Sequence, residues 1–174
     1  MTIIIDLIGS TIVRVSMVII MLGLMVVLSD SLYNSTINEN ATEQIVTVQN
    51  VMYRDLMRII PDSGIVSIVS HTNNRMTFYA YTDSTMSFVK RVTYDASQID
   101  NSTGYRKLYR ETNSGNYQMA NNLVGNNIFT YYDARGNETN SQIHLIQVKL
   151  CMPLISSTDT TYINNVIKIQ PFNL

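Results

Sequence analysis

A single cysteine, Cys151, rules out an intrachain disulfide and any metal site built from several thiolates. It leaves the redox compartment open. Tryptophan is absent, and nothing about fold or function hangs on that. Charge is scarce: Asp, Glu, Lys and Arg make up 14% of the 174 residues, well below the share in an ordinary soluble domain. The 12 basic and 13 acidic side chains leave a net charge of −1, with no basic patch large enough to hold nucleic acid. Asn, Ser and Thr carry much of the polar surface instead. No glycine-rich phosphate loop and no paired-carboxylate motif occurs. The length suits one domain, or a membrane stalk with a small domain.

What the chain has is an apolar N-terminus. Residues 15–28 read VSMVIIMLGLMVVL, softened only by Ser16 and Gly23. Extended back to Thr2, the segment exceeds the ~20 residues needed to cross a hydrocarbon core of ~30 Å. Asp6 and Arg14 lie inside it. Each would cost about 2.5–3.5 kcal/mol near the bilayer centre, so each calls for a partner or an interfacial position. They are eight residues apart, about 12 Å along a helix and some 80° around it, so pairing between neighbouring helices is better geometry than pairing within one. For Arg14 the alternative is snorkelling at the lipid interface. A cleavable secretory signal would normally open with basic residues, and none precedes Arg14. A retained anchor is the favoured reading.

The helical pattern continues past the apolar run. Ile37, Ala41, Ile45, Val48, Met52, Leu56 and Ile59 recur at steps of three and four, one face of a helix. Asn38, Glu39, Gln44, Gln49 and Asp55 are expected on the opposite side. One helix over residues 2–60 would measure roughly 85–90 Å. Pro61 is expected to stop it, followed by the turn Asp62-Ser63-Gly64. The stripe near Pro61 is expected to pack on the chain's own sheet.

Beyond Gly64 the pattern becomes short strands and polar turns. Strands are expected at 65–71, 75–81, 87–95, 106–111, 117–120, 128–132, 143–152 and 163–169. Asn73-Asn74, Asp83-Ser84, Asn113-Ser114-Gly115-Asn116 and residues 133–137 read as turns. Ile146, Val148, Leu150 and Met152 alternate with Gln147, Lys149 and Cys151. Residues 95–104 read as an exposed loop. The expected fold class is α+β: a long N-terminal helix, membrane-spanning then amphipathic, packed on one face of a C-terminal antiparallel β-sheet domain. The expected segments are 1–28, 29–60 and 61–174.

Few residues suggest chemistry. His71 and His144 sit in expected strands without an acid cluster and read as polar strand-face residues. Cys151, in KLCMP, lacks an activating base. Asp83 and Asp133 fit Asx turns. Residues 95–100 hold two acids, too few for a calcium loop. Asn34, Asn40, Asn101 and Asn137 begin glycosylation-type triplets; the first two fall in the expected helix and are discounted. No catalytic residue, metal or cofactor is expected. An anchored enzyme remains an alternative.

The order of membrane helix, amphipathic stalk and small β domain resembles type IV pilins and the pseudopilins of type II secretion. Within them it is most similar to the minor-pilin subfamily called PilW, related to the J-type minor pseudopilin. Thr2-Ile3-Ile4-Ile5-Asp6-Leu7 resembles the family's opening Phe-Thr-Leu-Ile-Glu-Leu. Arg54-Asp55-Leu56-Met57-Arg58 resembles its stalk end, and Met76-Thr77-Phe78-Tyr79 and Val92-Thr93-Tyr94 its first strands. Leu108-Tyr109-Arg110-Glu111 matches its leucine–variable–arginine strand. Leu123-Val124 and the run from Phe129 through Gly136 look like its most recognisable segment. Ile169-Gln170-Pro171-Phe172-Asn173-Leu174 resembles its closing Pro-Arg-Asn, with Phe172 where the subfamily has arginine.

The resemblance implies insertion in the inner membrane with a cytoplasmic N-terminus, removal of a leader, and stacking of helices into a filament with other pilin or pseudopilin subunits. Asp6 would take the role of the family's glutamate, attracting the terminal ammonium of a neighbour's Thr2. Arg14 is not a landmark of the family; from its place in the helix it is expected to contact an acid on an adjacent subunit. The family's basic leader and glycine are missing before Thr2, so either the chain starts downstream of the true start or processing differs. Were Met1 the mature terminus, Ile5 would stand in the glutamate's place, with Asp6 about 100° off. A membrane-anchored envelope binding module that never polymerises is the competing expectation.

Overall fold

The computed structural model describes residues 2–62, 65–66, 68–81, 88–155 and 160–170. Asp83-Ser84, Ser63-Gly64 and the closing residues 171–174, all singled out above, lie outside them.

Helix α1 runs without a break from Thr2–Leu56, 55 residues, or about 83 Å at 1.5 Å per residue. The uninterrupted run of helix-compatible side chains carries it across the junction between its apolar and amphipathic halves. Its buried stripe is the expected one. Ile45, Val48, Met52 and Leu56 are inaccessible, as is Ile59 just beyond, while Ile37 and Ala41 are half-buried. Each fully buried side chain of this kind stabilises the fold by about 1.5–3 kcal/mol.

The helix ends four residues before the expected stop. Pro61 does not end it directly. Arg58 and Ile59 donate to the carbonyls three residues back, at 3.2 and 3.3 Å, which tightens the last turn. The chain is then captured by a strand: Ile60 N–H donates to Tyr79 O and Tyr81 N–H to Arg58 O, both at 3.0 Å. The extended backbone required just before Pro61 suits that bridge.

Strands follow in the order β1 (Pro61–Asp62), β2 (Ile65–Val66), β3 (Ile68–His71), β4 (Arg75–Tyr81), β5 (Val89–Asp95), β6 (Arg106–Thr112), β7 (Gly115–Leu123), β8 (Phe129–Tyr132), β9 (Leu145–Ile155) and β10 (Thr160–Ile169). The expected single sheet is a correction. β3-β4-β5-β6-β7 form a five-stranded antiparallel sheet, β10-β9-β8 a three-stranded one, and β1-β2 a short ribbon. The chain leaves the first sheet after Leu123 and starts the second at Phe129. Val124 N–H donates to Cys151 O at 2.8 Å and sews the two together. The amphipathic half of α1 packs against β4, β7, β9 and β10, covering both sheets.

The core fills the space between α1 and the sheets. Phe78 and Tyr94 stack with ring centroids 6.2 Å apart. Along β9, Ile146, Val148, Leu150 and Met152 are buried while Gln147 and Cys151 are half-buried and Lys149 exposed, the alternation expected of it. The Thr77 and Thr93 hydroxyls, directly opposite on β4 and β5, meet at 3.0 Å and satisfy each other inside the core.

Candidate functional site

The surface with the most unusual chemistry is the first half of α1. From Ile8 to Tyr33 every side chain is exposed, including Ile12, Met17, Ile20, Met21, Leu24 and Met25. Apolar area of that extent does not face water in a stable soluble domain. The helix has the length and composition to cross a membrane. Thr2 and Asp6 lie in its helical backbone, and their side chains are outside the described set. Arg14 is exposed on the same helix. One unbroken helix keeps Asp6 and Arg14 about 12 Å apart along the axis, so α1 alone does not bring them together.

The other end of α1 is fixed by a cluster that the sequence reading placed wrongly. Asp55 was expected on the polar side; it is buried, at 2% exposure. The reason is its phase: it stands three residues after Met52 and four before Ile59, inside the apolar stripe. Gln44, Gln49 and Asn38, expected on that same polar side, are half-buried too, and Glu39 is exposed. Asp55 Oδ2 accepts a 2.7 Å bond from Arg110 Nε on β6 and a 2.9 Å bond from the Tyr94 hydroxyl on β5. Lys90 Nζ lies 4.0 Å from Asp55 Oδ1.

Burial, reinforced by the Asp55 carboxylate, pushes the Tyr94 hydroxyl well above its ordinary pKa. Burial also pulls Lys90 down, against the raising effect of Asp55. For Arg110, burial opposes the charge, but the hydrogen bond and field of Asp55 outweigh it and hold the pKa above its usual value. The signal that could have revealed this cluster was an acid at a core position of the stripe, together with an arginine in a strand.

The other sequence candidates have structural roles. The His71 ring meets Tyr131 edge-on, 4.7 Å between centroids. His144 sits just before β9, its N–H bonded to Tyr132 O. Burial raises the Cys151 thiol pKa, the wrong direction for a nucleophile. Asp133 Oδ1 accepts from the N–H groups of Arg135 and Asn137 at 2.8 and 2.9 Å, an Asx-type turn. Those bonds, led by Asn137, depress its pKa. Asp95 pairs with Arg75 at 3.5 Å and Asp100 with Lys107 at 2.7 Å, so neither acid of the 95–100 stretch stands open to a cation. Among the described residues, no three of His, Cys, Asp and Glu converge on a point that would hold a metal. Asn101 and Asn137 are exposed in loops; Asn34 and Asn40 lie on the helix.

Fold and surface define an α+β chain with antiparallel sheets and one N-terminal helix that is long and apolar enough to cross a membrane. No family model, no curated protein and no solved structure matches it.

Proposed function

We propose that this chain is a structural subunit of a pilus-like filament: a minor pilin or pseudopilin of a type IV pilus or a type II secretion-type system, acting in filament initiation or tip assembly. It is inserted in the inner membrane by α1 with its sheet domain outside the cytoplasm, and it then moves into the filament. The observation that carries the reading is the continuity of α1, exposed and apolar over one half, packed on both sheets over the other. A separate anchor would need no rigid connection to its domain. A helix that must hold a domain at set angle and height in a polymer does. Three of the segments that resemble the family, those holding Asp55, Tyr94 and Arg110, meet in one hydrogen-bonded cluster, which supports taking them as parts of one architecture.

In this reading Asp6 attracts the terminal ammonium of a neighbour's Thr2, and Arg14 contacts an acid on an adjacent helix. In low dielectric such pairs set register even where desolvation cancels much of their net gain. The test is Asp6→Ala in cells. Filament or tip assembly should fall sharply while the sheet domain melts at an unchanged temperature. Unchanged assembly would sink the proposal and leave the non-polymerising envelope module in its place.

A further inference from the structure

The four outer edges of the two larger sheets are not alike. β3 is four residues long and broken by a register shift between Ile68 and Ser70. β7 is distorted by two shifts in its pairing with β6. β8 is four residues long, and its outer side is bridged by Glu138 and by Thr139 N–H bonded to Tyr131 O. Each is a known way of blunting a sheet edge. β10 uses none of them. It runs ten residues, pairs with β9 without a shift, contains no proline, and carries one charge, Lys168. Among the described residues no strand lies on its other side. Alternate residues from Thr161 to Lys168 therefore direct backbone N–H and C=O away from the fold.

The ground beside this edge is shaped and charged. Gln49 of α1 bonds to Asn165 of β10, which puts the Val46–Gln49–Tyr53 side of the helix along the strand. Val46 and Tyr53 are about half exposed there, as are Tyr162 and Val166 on the outer face of β10. Glu39 and Glu43 line the same groove with Leu154, which pairs with Thr161 at the start of β10. Lys168 stands at its end, and Lys149 pairs with Val166 just before it. The edge is flanked by acids at its start and bases at its end.

We propose that β10 is a docking edge for an extended segment of a different protein, added antiparallel to it. That segment is apolar at alternate positions, to cover Val46 and Tyr53. It is acidic toward its N-terminus, beside Lys168, and basic toward its C-terminus, beside Glu39 and Glu43. A second copy contributing its own β10 would satisfy the same charges. But α1 runs in the same direction as β10, so a two-fold axis would send the two membrane-length helices opposite ways. That exclusion rests on the membrane reading of α1.

The test uses the full chain in detergent micelles and a synthetic decapeptide of alternating valine and threonine, with aspartate at its first two positions and lysine at its last two. Saturable binding by fluorescence anisotropy is expected, about tenfold weaker for a peptide with central proline or with reversed charges. Amide hydrogen exchange should slow at alternate residues of 161–168. The Tyr162→Lys chain, which sets a like charge near the peptide's C-terminal lysines, should bind about tenfold more weakly with an unchanged circular dichroism spectrum; if that variant does not fold, the peptide series and the exchange pattern on the unaltered chain decide. Equal binding of the proline peptide, no saturable binding, or protection elsewhere would overturn the proposal. So would disulfide-linked dimers of Asn164→Cys in a Cys151→Ser background, which would make the occupant a second copy. Asp6→Ala should leave peptide binding unchanged, so failure of filament assembly and failure of this edge are read separately.

Discussion

Asp55 on α1 and Arg110 on β6, 55 positions apart in the chain, are joined by a 2.7 Å hydrogen bond between a nearly inaccessible carboxylate and a mostly covered guanidinium. The bond ties the end of the long helix to β6, one strand in from the edge of the five-stranded sheet. If the domain is to be held at a fixed orientation on its stalk, this is where the orientation is set.

Removing one partner should cost far more than removing both. Asp55→Ala leaves Arg110 and Lys90 without their counter-charge and the Tyr94 hydroxyl without its acceptor, and is expected to destabilise the sheet domain by about 3–5 kcal/mol. Asp55→Leu combined with Arg110→Met and Tyr94→Phe, which removes the orphaned hydroxyl as well, should recover most of that loss, because apolar groups of similar size need no pairing. Urea unfolding of the two variants, followed by tyrosine fluorescence, makes the comparison; equal losses would show that the pair does not act as a unit.

Alkaline pH should weaken the domain. Tyr94 and Tyr131 both have their pKa raised by burial in the folded state. Above the ordinary tyrosine value of about 10 the unfolded chain releases these protons while the folded chain keeps them. The stabilisation is therefore complete below pH 10 and falls as pH rises past it. Tyr131→Phe, which gives up only the 3.1 Å bond to Thr72 O, should flatten the alkaline limb of a melting-temperature profile.

Cavity formation should separate the two halves of the helix. Met52→Ala, at a fully buried position, is expected to cost about 2–5 kcal/mol. Met21→Ala, on the exposed apolar half, should leave the melting temperature of the sheet domain unchanged. A similar loss at both positions would mean that the first half of α1 packs on the domain after all.

The turn after β8 offers a local test. Gly136 has φ +82°, in the left-handed region, with open space around its Cα. Gly136→Ala should cost about 1–2 kcal/mol through backbone strain alone. Gly9→Ala, in regular helix with equally open surroundings, should cost nothing. Thermal melts of the two variants decide the point.

Much of the local structure was legible because it depends on neighbours in the chain. The stripe from Ile37 to Ile59 and the alternation along β9 are periodicities. The bounds of β4, Arg75–Tyr81, coincide with the expected 75–81. The loop acid Asp133 explains its turn by itself. The polarity of Asp55 argued for the solvent side while its phase argued for the core. Only the presence of Arg110 and Tyr94 across the junction makes the core position tolerable, and neither is near it in sequence. The helix end was misplaced for a related reason: β4 captures residues 58–60 before Pro61 can act.

By itself, then, the sequence determined what each segment must be: a long apolar helix able to cross a membrane, a stalk with one buried face, and a run of short strands. Those properties follow from side-chain spacing and backbone restriction, which act over a few residues. Tertiary structure decided the division into two sheets, the exposed edge at β10 and the burial of Asp55. Each depends on which distant segments meet, and only the folded chain supplies the hydrogen bonds and opposite charges that make those meetings favourable.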